Sequence, residues 1–294
     1  MNEKNNIRNI IVGASGTVGS NIIKALSEKN IPSVAVIRNK KQSFSNDVTI
    51  RYADLLGQDQ VIDAFKGGST AFLITPESFT ASDILNDTKK IIQNYRTAIL
   101  KNNIQRIVCL SCVGAHVDGH TGNILMSREL ENSFDDMDIE KIIIRPSYYY
   151  KNWIGYINSV RQSGILLSFF EENQKIAMNS PVDLAKFISE ILASPILGKG
   201  TKIYEFIGPK SYSARDIADC FEKFLKKEVS VLSIPRENWK ETLLSIGFSE
   251  NVAVNLSEMT EALADGIAVP ENPEKTIVLK TNFETYFQSE LNFL

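Results

Sequence analysis

The sequence predicts an α/β protein built on a Rossmann-type doubly wound parallel sheet, with a smaller C-terminal α/β lobe. Three observations carry this prediction. Short runs of Ile, Val and Leu alternate with segments of helical period, a glycine-rich turn follows the first run, and the alternation stops about halfway along the chain.

The strands are read at Ile7 to Val12, Val34 to Ile37, Val48 to Tyr52, Ala71 to Ile74, Ile107 to Leu110 and Ile142 to Ile144. They are almost continuously apolar, as expected for parallel strands covered by helices on both faces. Ile22, Ile23 and Leu26 give one crossover helix its buried stripe, and Ile84, Ile91, Tyr95 and Ile99 give another theirs. Residues 1–150 therefore read as a dinucleotide-binding domain. Residues 151–294 read as a substrate or partner lobe packed on the C-terminal edge of the sheet, where ligands bind in open α/β folds. That lobe begins after Arg145-Pro146 with aromatic-rich loops. It continues with a helix carrying Leu184, Phe187, Ile188 and Ile191, then an isolated strand at Ile203 to Ile207. Ser213 caps a helix that buries Ile217, Phe221, Phe224 and Leu225, and a further helix aligns Val252, Leu256, Met259 and Leu263.

Composition narrows the function. The 294 residues are 43% hydrophobic and 23% charged, the balance of a chain that buries a core. A net charge of -3 with scattered lysines gives no broad attraction to a nucleic-acid backbone, so no direct nucleic-acid contact is expected. No apolar run approaches ~18 residues, and the polar start lacks a leader pattern. A cytoplasmic location without membrane contact is expected. Three cysteines without an export signal suggest reduced thiols.

The first strand feeds Gly13-Ala14-Ser15-Gly16-Thr17-Val18-Gly19 and then an amphipathic helix, Ser20 to Lys29. Glycine lets the backbone turn sharply and approach a pyrophosphate closely, while the helix N-terminus favours its negative charge. Gly13, Ala14, Ser15, Gly16, Thr17 and Val18 are the expected phosphate cradle, and Gly19 lets the helix pack on the strand. The second strand ends in Ile37-Arg38-Asn39-Lys40-Lys41, about 20 residues beyond the loop, where an NAD-specific domain offers a carboxylate to the ribose. Arg38 instead offers a planar fork to a 2′-phosphate, Lys40 and Lys41 add positive charge, and Asn39 between them joins the expected cofactor site, so NADPH is expected over NAD. The alternative for this segment is a solvated basic turn. Asp54-Leu55 stands either beside the adenine or, through Asp54, as a cap on the next helix. Thr75-Pro76 follows the fourth strand, where the chain passes the dinucleotide.

Together with Leu110-Ser111-Cys112-Val113-Gly114-Ala115 and the stretch Arg145 to Asn152, these motifs resemble the NmrA-like branch of the atypical short-chain dehydrogenase/reductases. That branch includes redox sensors, quinone reductases and triphenylmethane-dye reductases. The resemblance implies a Glu, here Glu131, fourteen residues before the Arg of the sixth strand, here Arg145. It also shows what is missing. Ser127 stands where many relatives carry Lys or His, and Asn123 stands where typical short-chain dehydrogenases place their acid tyrosine. Ordinary alcohol dehydrogenation is not expected without that pair.

Cys109, Cys112, His116 and His120 have a zinc-like spacing, but residues three apart on a strand point to opposite faces, and no metal is expected. Ser111 closes the fifth strand, where its hydroxyl either faces the nicotinamide and donates to substrate or simply starts a turn. Of Tyr148, Tyr149 and Tyr150, one or two are expected to stack on a flat substrate beside Trp153 and Tyr156, the rest being core. Ser111, Tyr148 and Tyr149 are thus the substrate-pocket candidates. Two functions fit. One is an NADPH-dependent reductase passing hydride to a flat, electron-poor small molecule such as a quinone, with no dedicated acid. The other is a non-catalytic NADP(H) sensor that binds a regulatory protein. An open aromatic cleft favours the first and a plugged one the second.

Arg38 makes the cofactor choice measurable. Arg38→Ala should weaken NADPH by about ten- to a hundredfold, the worth of one charge-assisted hydrogen bond of about 1.5 to 3 kcal/mol, and leave NADH nearly untouched. Titration of both forms with both dinucleotides checks this, and equal weakening of the two would reduce Arg38 to a surface residue.

Overall fold

The apolar runs assemble as β1 (Asn9–Val12), β2 (Ser33–Ile37), β3 (Val48–Tyr52), β4 (Thr70–Leu73), β5 (Arg106–Leu110) and β6 (Glu140–Pro146). The computed structural model describes residues 8–39 and 44–291, so Ile7, Lys40 and Lys41 lie outside the described residues. Crossovers are made by α1 (Thr17–Glu28), α2 (Gln58–Ala64), α3 (Ile84–Asn102) and α4 (Ile124–Asn132). The second half supplies β7 (Tyr148–Tyr149), α5 (Lys151–Ile154), α6 (Ile157–Ser163), β8 (Ile165–Ser168), β9 (Ile176–Asn179), α7 (Pro181–Ala193) and β10 (Gly200–Ile207). It ends with β11 (Ser211–Tyr212), α8 (Ala214–Leu225), β12 (Ser230–Ser233), α9 (Trp239–Ser245), α10 (Glu250–Ala264), β13 (Ile277–Val278) and α11 (Phe283–Leu291).

Among the described residues, the main sheet has eight strands in the order β13-β10-β6-β5-β4-β1-β2-β3, and its neighbours pair in parallel. The period-two geometry of a strand sorts its side chains between two helical layers. Ile10 and Val12 pack with Tyr95, Ile99 and Phe134 on one face. Ile11 and Phe72 pack with Ile22, Leu26 and Ile188 on the other. Burial on both faces is why β1, β2 and β4 are apolar almost throughout and why the centre of β6 is three isoleucines, while the edge strand β3 is only partly covered.

Two expectations for the second half need correction. The strand at Ile203 to Ile207 is not isolated: it is the end of β10, which runs beside β6 from Gly200↔Glu140 to Phe206↔Pro146. Its first residues are exposed and polar, so they lack the continuous apolar signature of the inner strands. Phe224 is 41% exposed at the end of α8, where only the edge of its ring meets Phe287. Ser213 does cap α8, in a reciprocal capping box with Asp216. Around α8 and α11 lies a separate aromatic core that includes Tyr150, Trp153, Phe221 and Phe283. Two small sheets, β11-β9-β7 and β12-β8, flank it. Among the described residues, no helix is long and apolar enough to cross a membrane.

At the opposite end of the sheet from the glycine turn, a buried ion pair links β5 to β6, and its guanidinium reaches on to the second half. Arg106, 1% exposed, donates through Nε to Glu140 at 2.6 Å, and through Nη1 to the carbonyls of Ile191 and Ser194 at 2.8 and 3.0 Å. The guanidinium thereby closes the C-terminus of α7, which lies against α1. Arg106→Met should cost about 3 to 5 kcal/mol, because among the described residues it leaves the buried Glu140 carboxylate with Lys202 alone, 3.8 Å away. Denaturant unfolding checks this, and an unchanged midpoint would mean that the pair is dispensable.

Candidate functional site

β1 and β4 are neighbours whose chains leave the sheet in opposite directions, which opens a crevice at their C-terminal ends. The turn after β1 fills its lower part. Gly13 takes φ +67°, a left-handed conformation that side chains resist. A Cβ on Gly19 would lie 2.3 Å from the Gly13 carbonyl oxygen, so only glycine lets α1 start this close to the turn. Gly16 N–H donates to Gly13 at 2.9 Å, and Ala14 N–H donates to Val36 on β2 at 3.3 Å. The N–H groups of Thr17, Val18 and Gly19 are left at the mouth of α1 with no partner among the described residues. Unpaired donors, the positive end of a helix and a floor without side chains form a cradle suited to a phosphate.

From this cradle a cavity of about 820 Å³ runs upward between the sheet and the second half. Gly13, Gly16, Thr17 and Val18 line its base, and Thr75, Ser111, Tyr148 and Tyr149 line its middle. Trp153, Tyr156 and Phe170 add an aromatic wall, with the Tyr148 ring edge-on to Phe170 at 5.8 Å and to Trp153 at 6.5 Å. Tyr150 points the other way and is fully buried among Tyr212, Phe283 and Tyr286. The far wall comes from Leu256, Met259 and Leu263 of α10, which are half-buried because they face this space.

The remaining expected site residues lie around the cavity. Ala14 is buried beneath the turn, and Ser15 is exposed. Arg38 and Asn39 are exposed where β2 ends. Asp54 accepts from Leu56 N–H at 3.0 Å, and its own N–H donates to Gln60 at 2.9 Å. It closes a turn and does not cap α2, which starts from Gly57. Leu55 is half-buried and its carbonyl accepts from Asn94 at 2.8 Å, while Pro76 is exposed outside the cavity.

Beneath the middle of the cavity lies a node of charge. Arg145 donates from Nε and Nη2 to the two oxygens of Glu131 at 2.8 and 2.7 Å, and from Nη1 to Glu271 at 2.6 Å and Glu205 at 3.4 Å. Burial opposes its charge, yet Glu131 and Glu271 hold its pKa above the usual arginine range. Ser111 Oγ donates to Glu131, which commits the hydroxyl proton inward and leaves only oxygen lone pairs toward the cavity.

The four zinc-spaced residues separate. Cys109 is in the core, Cys112 lines the cavity and His120 is exposed. His116 instead meets Glu205 and Glu271, with candidate ligand atoms within 4.8 Å of one another, and both of those carboxylates already accept from Arg145.

Sequence reading missed a second polar pair. Asn123, the N-cap residue of α4, donates through Nδ2 to Glu77 Oε1 at 3.1 Å, and both line the cavity. Glu77 is exposed where it lines the cavity, yet desolvation by the protein around it pushes its carboxyl pKa up, against the pull of the Asn123 hydrogen bond. Burial likewise pushes the Cys112 thiol to about 11, although Ser127 hydrogen-bonds it, and holds Tyr148 and Tyr149 above the usual tyrosine range. The one available signal for Glu77 was its place two residues beyond Thr75.

The profile of the NmrA-like family matches residues 5–286. The chain belongs to this family. Among curated relatives it is similar to an NAD(P)H azoreductase of Xenophilus azovorans, 21% identical over 253 residues and 85% of each chain. It is also similar to quinone oxidoreductase 2 of Escherichia coli K12, 22% identical over 263 residues, 87% of this chain and 88% of that one. The solved structure of an Escherichia coli NADPH-dependent quinone oxidoreductase in complex with NADPH superposes with a TM-score of 0.77. It is 19% identical and is covered over its whole length by 97% of this chain, a likeness of fold.

The node gives this NmrA-like chain a pH signature. Arg145, by hydrogen bond first, holds the Glu271 carboxyl below the usual glutamate range, so its stabilisation is present above the unfolded pKa and is lost as pH falls through the depressed folded one. Arg145→Met should cost about 3 to 5 kcal/mol near neutral pH, by leaving buried carboxylates uncompensated, and the difference from wild type should shrink on acidification. Unfolding curves across pH check this, and a constant difference would contradict it.

Proposed function

We propose that the chain is an NADPH-dependent reductase that passes hydride to a flat, electron-poor acceptor such as a quinone. The observation that carries this reading is the continuity of the cavity, which joins the glycine cradle to an open aromatic chamber without a plug. A non-catalytic sensor would need no such chamber. The activities named for the azoreductase and quinone oxidoreductase relatives belong to the same acceptor class.

The residues present fit a dinucleotide. Gly13 to Val18 would hold its phosphates through the unpaired N–H groups of α1. Arg38 and Asn39 would meet the 2′-phosphate, Asp54 and Leu55 the adenine side, and Thr75 and Pro76 the turn beside it. When bound, the reduced nicotinamide supplies a hydride. The chain's own work is to stack the acceptor on Tyr148, Tyr149 and Trp153, to exclude water with the apolar face of α10, and to offer Ser111 as a hydrogen-bond acceptor.

Loss of NADPH absorbance on adding a panel of quinones and azo dyes tests the proposal. Turnover that depends on the acceptor is expected. NADPH binding without turnover on any member would overturn the reductase reading. Gly16→Val should abolish dinucleotide binding while leaving the fold intact, since a branched side chain would fill the cradle; unchanged affinity in a titration would remove the site from the glycine turn.

A further inference from the structure

Reducing a quinone or an azo bond takes a proton as well as a hydride, and a positioned acid typically contributes 10²–10⁴-fold to such a transfer. The cavity holds few protons to give. Among the described residues, no Lys, Arg or His lines it. Ser111 has committed its proton to Glu131, and Asn123, although polar, is not an acid. Cys112, Tyr148, Tyr149 and Tyr156 hold their protons tightly because burial disfavours their anions.

Glu77 remains. Its Oε1 is held by Asn123 Nδ2 at 3.1 Å, and its Oε2 has no partner among the described residues. Asn123 is itself fixed: it is 5% exposed, and its backbone N–H donates to the Asn255 carbonyl on α10 at 3.2 Å. Its Oδ1 is buried and lacks a donor. The Asn123 amide thus fixes one carboxyl oxygen and leaves the other free to face an acceptor in the cavity that Glu77 lines.

We propose that Glu77 is the proton donor to the acceptor in this cavity and that Asn123 is its positioning residue, an assignment that rests on the reductase reading above. The acceptor that has gained a hydride at one end of its conjugated system carries an electron pair at the other. The Oε2–H bond breaks, its proton forms a new O–H or N–H bond with that pair, and Glu77 is left as a carboxylate. Water reprotonates it before the next cycle, so one acceptor, one hydride from the reduced dinucleotide and one proton give the reduced product.

The groups facing Glu77 are Asn123 at the start of α4, Cys112 after β5 and Tyr148 on β7, and the two titratable ones stay neutral around physiological pH. The quinone rate should therefore fall as pH rises through the raised pKa of Glu77, because only the protonated form can donate.

The test uses the full chain. Infrared difference spectra of the dinucleotide-free protein should show a carboxyl band titrating above the usual glutamate range, and Glu77→Gln should remove it. Single-turnover rates are then compared for 1,4-naphthoquinone, which needs a proton, and a triarylmethyl cation, which takes hydride alone. Glu77→Gln should lower the quinone-to-cation rate ratio about a hundredfold and flatten the pH profile of the quinone rate, with NADPH affinity showing that the variant is folded. An unchanged ratio, or no such infrared band, overturns the assignment while the reductase reading stands. A wild-type chain that reduces neither acceptor overturns both.

Discussion

The cavity depends on the guanidinium of Arg145. Through its three carboxylate partners this side chain ties β6 to α4, to β10 and to the segment that precedes β13, and through Glu131 it fixes the end of β5 at Ser111. The position of Ser111 in the middle of the site is thus referred to one charge. A buried cation is costly alone and tolerable only when its partners are close and themselves satisfied. Here Glu205 also accepts the backbone N–H groups of Glu271 and Asn272 at 2.9 and 2.8 Å, which spreads the negative charge over fixed dipoles.

The node and the Glu77–Asn123 pair meet in α4. That helix carries Glu131 in its last turn and begins from Asn123, so the charge that holds the helix at one end also sets where the Asn123 amide sits at the other. Short side-chain bonds at both ends of a nine-residue helix leave it little freedom to slide. The polar chemistry of the chamber is therefore fixed by rigid elements, whereas the aromatic wall comes from short strands and turns of the second half.

Much of the fold was legible in the sequence because the forces that make it are local or periodic. Continuous apolar runs mark strands buried on both faces, and the glycine turn declares itself through residues that only a close backbone approach requires. β10 was harder, since its first residues face solvent and its membership of the sheet is decided by a partner strand about sixty residues earlier. Leu256, Met259 and Leu263 show how far periodicity reaches. Their spacing gives a helical face, but nothing in it says whether that face meets core or cavity. Tyr148, Tyr149 and Tyr150 are alike in sequence, and the pleat of β7 with the turn into α5 separates two of them from the third. Glu77 was illegible for a simpler reason: its partner Asn123 lies forty-six residues away, and no local pattern announces such a contact.

The position of β10 also bears on how the chain acquires its fold during synthesis. Until residues 200–207 have emerged, β6 has no neighbour on its outer side, and its seven residues, all buried in the finished protein and centred on three isoleucines, present an unpaired edge. Such an edge is a template for pairing with other chains. The first half of the chain is therefore early in sequence but late in protection, and the nascent chain has a window of vulnerability that closes only when its second half arrives.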